Sequence, residues 1–212
     1  MSQDSHMISV SELSFERYFE RVFEPVSFDL GPGSLLLVTG SNGCGKTTLL
    51  RLLAGLLEPS EGEIDCPEQP LYAGHNPAIK DDLSVEENIT FWMNFMGTRE
   101  TNRGKELCKR VIRNIGLTPV AQQEGRTLSA GQRKRCSLAR LLFCDEALWL
   151  LDEPYSNLDP EGIEMLDDIL RAHLESGGSC IMTTHGSLRP DGFELQECYM
   201  ISGRERYAGV AA

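Results

Sequence analysis

Gly40-Ser41-Asn42-Gly43-Cys44-Gly45-Lys46-Thr47-Thr48 is the stretch that decides the fold. It has the spacing G-x-x-x-x-G-K-[ST] of a phosphate-binding loop, whose glycines let the backbone curl around a polyphosphate with its N–H groups inward. Leu35-Leu36-Leu37-Val38, just upstream, is the unbroken apolar run of a buried parallel strand. Downstream, Leu49, Leu52, Leu53 and Leu56 recur at i, i+3, i+4 and i+7, which predicts a helix with one apolar face from about Lys46. Strand, loop and helix in this order set a helix N-terminus, with its partial positive charge, against the phosphates. Lys46 adds a full charge near the terminal phosphates, and Thr47 offers a hydroxyl to Mg2+. The chain is expected to bind a nucleoside triphosphate.

Composition bounds the rest. A chain of 212 residues suits one domain with a sizeable core, and 41% hydrophobic with 25% charged residues is the balance of a soluble globular protein. A net charge of −12 argues against nucleic acid as the main partner, because phosphate backbones select basic surfaces. The locally basic Arg133-Lys134-Arg135 and Lys109-Arg110 read as solvated helix faces. Seven cysteines, an odd number without a C-x-x-C pair, fit reduced thiols better than a disulfide framework or a zinc site. No apolar run reaches the roughly 20 residues that span a bilayer. Met1–Val10 has no signal-peptide pattern, and Met7 is an alternative start. Any membrane role is therefore expected to come through a partner.

Short strands are expected at Ile8–Val10 and Val26–Leu30, a turn at Glu58–Gly62 and another strand at Leu71–Ala73. Ser84-Val85-Glu86-Glu87 is a capping box opening a helix to about Met96. A second helix, near Arg103–Ile115, buries Leu107, Val111 and Ile115 and stops at Gly116. Residues 76–128 thus read as a helical insertion. Ser129-Ala130-Gly131-Gln132 starts a further helix with a capping box, extending the helical subdomain over about 76–134 within one domain of 1–212. The apolar strand Leu148–Leu151, a helix after Asp159-Pro160 carrying Ile163, Leu166 and Leu170, and the strand Cys180–Thr184 follow. A last strand is expected at Cys198–Ile201. Alternation of strand and helix predicts a mostly parallel core sheet with right-handed crossovers.

Leu148-Trp149-Leu150-Leu151-Asp152-Glu153 is an apolar strand ending in two acids. Ligands of parallel sheets sit at the carboxyl ends of strands, so both acids should face the nucleotide. Asp152 fits a Mg2+ partner, directly or through water, and Glu153 a general base for the attacking water. By the same rule His185 emerges at the carboxyl end of its strand, within reach of a γ-phosphate. Leu128–Gln132 places a serine and small residues at a helix N-terminus, a second anion site in a chain that already has one phosphate loop. Such a site makes sense if it closes over the nucleotide of another subunit.

Gly40–Thr48, Leu128–Gln132, Leu148–Glu153, Ser156-Asn157-Leu158-Asp159 and His185, in this order, resemble the ATPase subunit of an ABC transporter over nearly the whole chain. The resemblance implies a RecA-like P-loop NTPase core, an antiparallel β flank and a helical subdomain. It implies ATP and Mg2+ as ligands, two ATPs clasped between two copies of the chain, and Ser129, Gly131 and Gln132 set against the partner copy's nucleotide. Asp159 would belong to the loop that lines this interface. Integral membrane subunits would receive the motion.

A narrower resemblance lies in Gly74-His75-Asn76-Pro77-Ala78-Ile79-Lys80, where most transporter ATPases carry a glutamine, and in Trp149–Pro154. Both are similar to the ATP-binding subunit of the cytochrome c maturation haem-handling exporter. That family works on the cytoplasmic face of the inner membrane as a peripheral subunit, and its hydrolysis releases a haem-charged chaperone on the far side. Haem would not touch this chain. His75 would stand where the glutamine senses Mg2+ and water, with an imidazole that can accept or donate one hydrogen bond when neutral. The adenine-stacking residue of the family falls near residue 17, where Tyr18 (ring stacking) is favoured over Arg17 (guanidinium stacking). Two rivals belong to other classes. A soluble ATP-switch protein usually carries two such cassettes in one chain, and a small-molecule P-loop kinase lacks the Leu128–Gln132 element.

Overall fold

The computed structural model describes residues 6–97, 102–184 and 190–203. They divide into two compact units: the described residues of Met1–Gly74, Glu146–Pro154 and Ala172–Ala212, and those of His75–Asp145 and Tyr155–Arg171.

The first unit begins with strands β1 (Ile8–Arg17) and β2 (Glu20–Leu30), then β3 (Leu35–Gly40), helix α1 (Lys46–Leu53), β4 (Glu61–Asp65) and β5 (Leu71–Ala73). The second unit holds α2 (Val85–Phe95), α3 (Asn102–Asn114) and α4 (Ala130–Leu138). The chain continues through β6 (Leu148–Leu151), α5 (Pro160–Glu175), β7 (Ser179–Thr183) and β8 (Leu195–Met200).

Five strands pair in the order β5-β6-β7-β3-β8, all parallel, so the apolar runs of β3 and β6 lie in the interior of the sheet. Leu35, Leu37, Val38, Leu150 and Leu151 are accordingly fully buried. The flank is antiparallel, β2-β1-β4. Both sheets share one core with α1, in which Leu13, Phe23, Leu36, Leu49, Leu50 and Ile181 meet. The expected parallel core with an antiparallel flank is what the chain adopts.

Three local expectations need correction. The strands expected at 8–10 and 26–30 are parts of a long hairpin. Register shifts after Val10 and a left-handed Glu12 (φ 49°) break the period of two in β1, and the turn Tyr18-Phe19 (φ 53° and 64°) has no glycine or asparagine. The turn expected at Glu58–Gly62 ends where β4 starts. Gly62 (φ +88°) there approaches the Glu12 bulge so closely that a Cβ would lie 2.4 Å from the Glu12 carbonyl oxygen. Leu56 is not part of the helix face: α1 ends at Leu53, Gly55 turns at φ +68°, and Leu56 is 59% exposed.

At the base of the parallel sheet, His173 stacks on Trp149, with ring centroids 3.6 Å apart and planes 8° from parallel. Burial pushes the His173 imidazole below its usual range, against the carbonyls of Ser179 and Ala147, which favour the cation. A histidine whose pKa is lower folded than unfolded stabilises the fold when neutral. That contribution is whole above the unfolded value near ~6.5 and is lost as pH falls from there through the folded value. The melting temperature is therefore expected to fall between pH 7.5 and 5.5. His173→Phe, which keeps a ring against Trp149, should flatten that fall; an equally steep slope in the variant would show that other groups cause it.

The second unit is helical around its own core. Val85, Ile89, Cys108, Val111, Ile115, Leu128 and Cys136 meet in it, and burial drives the Cys136 thiol up to about 12. Both expected capping boxes form. Ser84 accepts from the Glu87 amide at 3.2 Å while the Glu87 carboxylate accepts from the Ser84 amide at 2.8 Å, which holds Glu87 below the usual carboxylate range. The basic stretches of this unit lie against acids: Arg133 pairs with Asp81 at 2.7 Å and Arg135 with Asp159 at 3.1 Å. Among the described residues, no helix is long and apolar enough to cross a membrane.

Candidate active site

The phosphate loop joins the end of β3 to the start of α1 in the first unit. Its turns demand glycine at two positions. At Gly40 (φ +144°) a Cβ would lie 2.5 Å from the Met200 carbonyl oxygen, and at Gly45 (φ +104°) 2.8 Å from the Phe23 ring. Ser41, Asn42 and Gly43 are exposed, and Cys44 is buried beneath them. Gly45 caps α1 without a side-chain hydrogen bond. The first-turn amides of Lys46, Thr47 and Thr48 have no intrahelical acceptors and are available to an anion. Helices α2 and α4 contrast with this, because their serines occupy their own N-termini.

Lys46 is 7% exposed, and its ammonium donates to the carbonyls of Gly40 at 2.9 Å and Ser41 at 3.1 Å. The next side chain, Thr47, donates its hydroxyl to Asp152 Oδ2 at 2.9 Å. Asp152 follows β6, is 2% exposed, and its amide donates to the Ala73 carbonyl of β5 at 2.8 Å. Its second oxygen, Oδ1, accepts from the Thr183 hydroxyl at 2.8 Å. Thr183 in turn accepts from the amide of Glu153 at 2.9 Å. Glu153 is half-buried and sits in the left-handed region, φ 49°.

The fold thus brings together Lys46, Thr47, Asp152 and the backbone of Glu153. The sequence reading missed Thr183 as a link. Its signal is a hydroxyl at the last position of a strand whose other interior residues, Cys180, Ile181 and Met182, are fully buried. Tyr18 is at the tip of the β1–β2 hairpin, 90% exposed. Arg17 lines a cavity of about 220 Å³ with Arg21, Val22, Gly43 and Ser202. His75, exposed, and Ser129, Gly131 and Gln132, at the start of α4, belong to the second unit. There the Ser129 hydroxyl accepts from the Gln132 amide at 3.2 Å, and the Gln132 side chain accepts from the Ser129 amide at 2.9 Å. His185 lies outside the described residues.

The donor set around Thr47 suits Mg2+. A hydroxyl and a carboxylate oxygen are hard ligands, and their 2.9 Å separation is that of neighbouring corners in an octahedron with bonds of about 2.05 Å.

A parallel sheet with a phosphate loop at its carboxyl edge, a following acid pair and a serine-capped helix in a helical unit define a class. Residues 23–156 match the family described as ABC transporter, and the chain belongs to that family. The fold and the family make it an ATP-binding ATPase cassette. Its relatives are narrower. The chain is 44% identical over 191 residues to the cytochrome c biogenesis ATP-binding export protein CcmA of Xanthomonas campestris, covering 85% of this chain and 87% of that protein. The protein of the same name from Ruegeria pomeroyi is 42% identical over 185 residues, with 87% of each chain covered. Among solved structures, a dimeric bacterial ABC transporter cassette shares the fold with a TM-score of 0.80 over 91% of this chain and 94% of that one, at 19% identity.

Proposed function

We propose that this chain is the ATP-hydrolysing subunit of a cytochrome c biogenesis exporter, acting as a pair of copies on the cytoplasmic face of the bacterial inner membrane. One observation carries the reading: Lys46, Thr47, Asp152 and Glu153 are assembled in a chain 44% identical to a protein named for that export. Integral membrane subunits hold the pair and take up its motion, and haem stays off this chain.

Lys46 spends two of its three N–H donors on loop carbonyls, which holds the ammonium over the loop and leaves the third for a phosphate oxygen. Thr47 and Asp152 would hold Mg2+, which when bound neutralises charge on the β- and γ-phosphate oxygens. Glu153 orients the attacking water and takes its proton. His185 holds the γ-phosphate in line, and His75 stands in for a water-sensing glutamine. Tyr18, exposed at its hairpin tip, offers a face to the base, with Arg17 as the alternative beside Gly43. Ser129 accepts from an amide of its own helix, so its hydroxyl proton remains to donate to a phosphate of the other copy's nucleotide.

Pull-down of the tagged chain from detergent-solubilised membranes tests the assignment. Recovery of membrane-spanning subunits together with haem-chaperone partners is the expected result. A purely soluble set of partners would overturn it.

The gripping surface is proposed to lie between His75 and Phe95. On α2, Phe95 is 74% and Phe91 39% exposed, whereas Trp92 donates its indole N–H to the Ala78 carbonyl at 3.0 Å and lies under the Arg140 guanidinium, 5.4 Å from its ring centroid. Phe95→Ala is therefore expected to lower recovery of the membrane subunits several-fold with ATP affinity unchanged and only a small fall in melting temperature, from its lost ring contacts with Phe91 and Trp92. Trp92→Ala should lower the melting temperature as well, through its lost packing. Full assembly of the Phe95→Ala variant would remove this surface from the proposal.

A further inference from the structure

Thr183 is the last residue of β7 and is fully buried. A hydroxyl there must find partners inside the protein. It has one proton to give, and an ionised carboxylate can only accept. The proton therefore goes to Asp152 Oδ1 at 2.8 Å, and an oxygen lone pair receives the Glu153 N–H at 2.9 Å. The other Asp152 oxygen is taken by Thr47, at 2.9 Å. Each oxygen of one buried carboxylate is thus fixed by a threonine from a different element, the start of α1 and the end of β7. The plane of the carboxylate has little freedom left.

The same hydroxyl restrains Glu153. Its backbone sits at φ 49°, which a residue with a Cβ seldom adopts and which persists only where its surroundings impose it. The amide that Thr183 receives belongs to this strained residue, so the bond sets the direction in which the Glu153 side chain leaves the sheet. We propose that Thr183 is a positioning residue that ties the Mg2+-facing carboxylate of Asp152 to the peptide of Glu153. A shift of one when metal and nucleotide bind is passed to the other. This rests on the roles of Asp152 and Glu153 proposed above.

The test compares Thr183→Val, which has the same shape without a hydroxyl, with Thr183→Ser, which keeps it, in the full chain. Outer partners of metal ligands are typically worth about 10–100-fold in affinity or activity. Thr183→Val should lower kcat by about 30-fold with KM for ATP nearly unchanged. It should raise the Mg2+ concentration needed for half-maximal binding of a non-hydrolysable ATP analogue by about tenfold, without altering binding of the analogue in EDTA. Thr183→Ser should stay within about threefold of the parent in both. In the unliganded parent chain, the Glu153 amide should exchange with deuterium far more slowly than a solvent-exposed amide.

A Thr183→Val variant with parental kcat and Mg2+ response overturns the proposal. So does a Thr183→Ser variant as impaired as Thr183→Val. Rapid exchange of the Glu153 amide overturns it too, and needs no variant to fold. The Mg2+ response is read without turnover, so it fails separately from the assignment of Glu153 as base, which turnover of Glu153→Gln decides.

Discussion

Glu153→Gln is expected to bind MgATP within about twofold of the parent chain while hydrolysing it roughly a thousandfold more slowly, within the range seen when a general base is lost. The substitution is nearly isosteric, and the bond of this residue to Thr183 uses its backbone. The Glu153 amide donates to Thr183 whichever side chain is present, so the left-handed turn, Asp152 and Thr47 keep their places. What disappears is basicity, because an amide oxygen cannot take a proton from water near neutral pH. Bound triphosphate then persists, and with it the contact proposed for Ser129 with the other copy's nucleotide. Gel filtration with MgATP should give a stable dimer of the variant, and MgADP should return it to monomer. Undiminished turnover would remove Glu153 from the chemistry, and a variant that stays monomeric in MgATP would remove the shared nucleotide.

The parts legible in the sequence are those set by local chemistry. Gly40–Thr48 announces itself because the close approaches at Gly40 and Gly45 admit no side chain. The starts of α2 and α4 are readable because Ser84–Glu87 and Ser129–Gln132 satisfy their own helix ends. The interior strands β3 and β6 show as unbroken apolar runs, since both faces are covered. The antiparallel flank came from family resemblance instead. Its β1 changes phase at the Glu12 bulge, its turn at Tyr18-Phe19 lacks the usual residues, and β4 is exposed apart from Ile64. Pairing across the sheet, absent from any window of sequence, makes those segments strands. Thr183 was hidden for a related reason. Its worth depends on Asp152, 31 positions away, and on the backbone of Glu153, 30 away.

Lys46→Ala should weaken ATP binding by about 10–100-fold, measured by titration with a fluorescent analogue. One charge-assisted hydrogen bond to a phosphate, about 1.5–3 kcal/mol, corresponds to this loss at tenfold per 1.4 kcal/mol. The loss exceeds that of an exposed lysine because this ammonium is already in place. Only 7% of Lys46 is exposed, and the carbonyls of Gly40 and Ser41 hold Nζ before any ligand arrives. Little side-chain entropy remains to be lost on binding. The same two carbonyls give the test its specificity. Lys46→Arg preserves the charge, but a planar five-donor fork does not fit where a compact ammonium is seated between two carbonyls of one tight loop. It should lose most of the affinity that Lys46→Ala loses. Parental affinity in Lys46→Arg would mean that charge alone recruits the triphosphate and that the seat between Gly40 and Ser41 is incidental. Parental affinity in Lys46→Ala would place the nucleotide somewhere other than this loop, and the roles of Thr47, Asp152 and Glu153 would go with it.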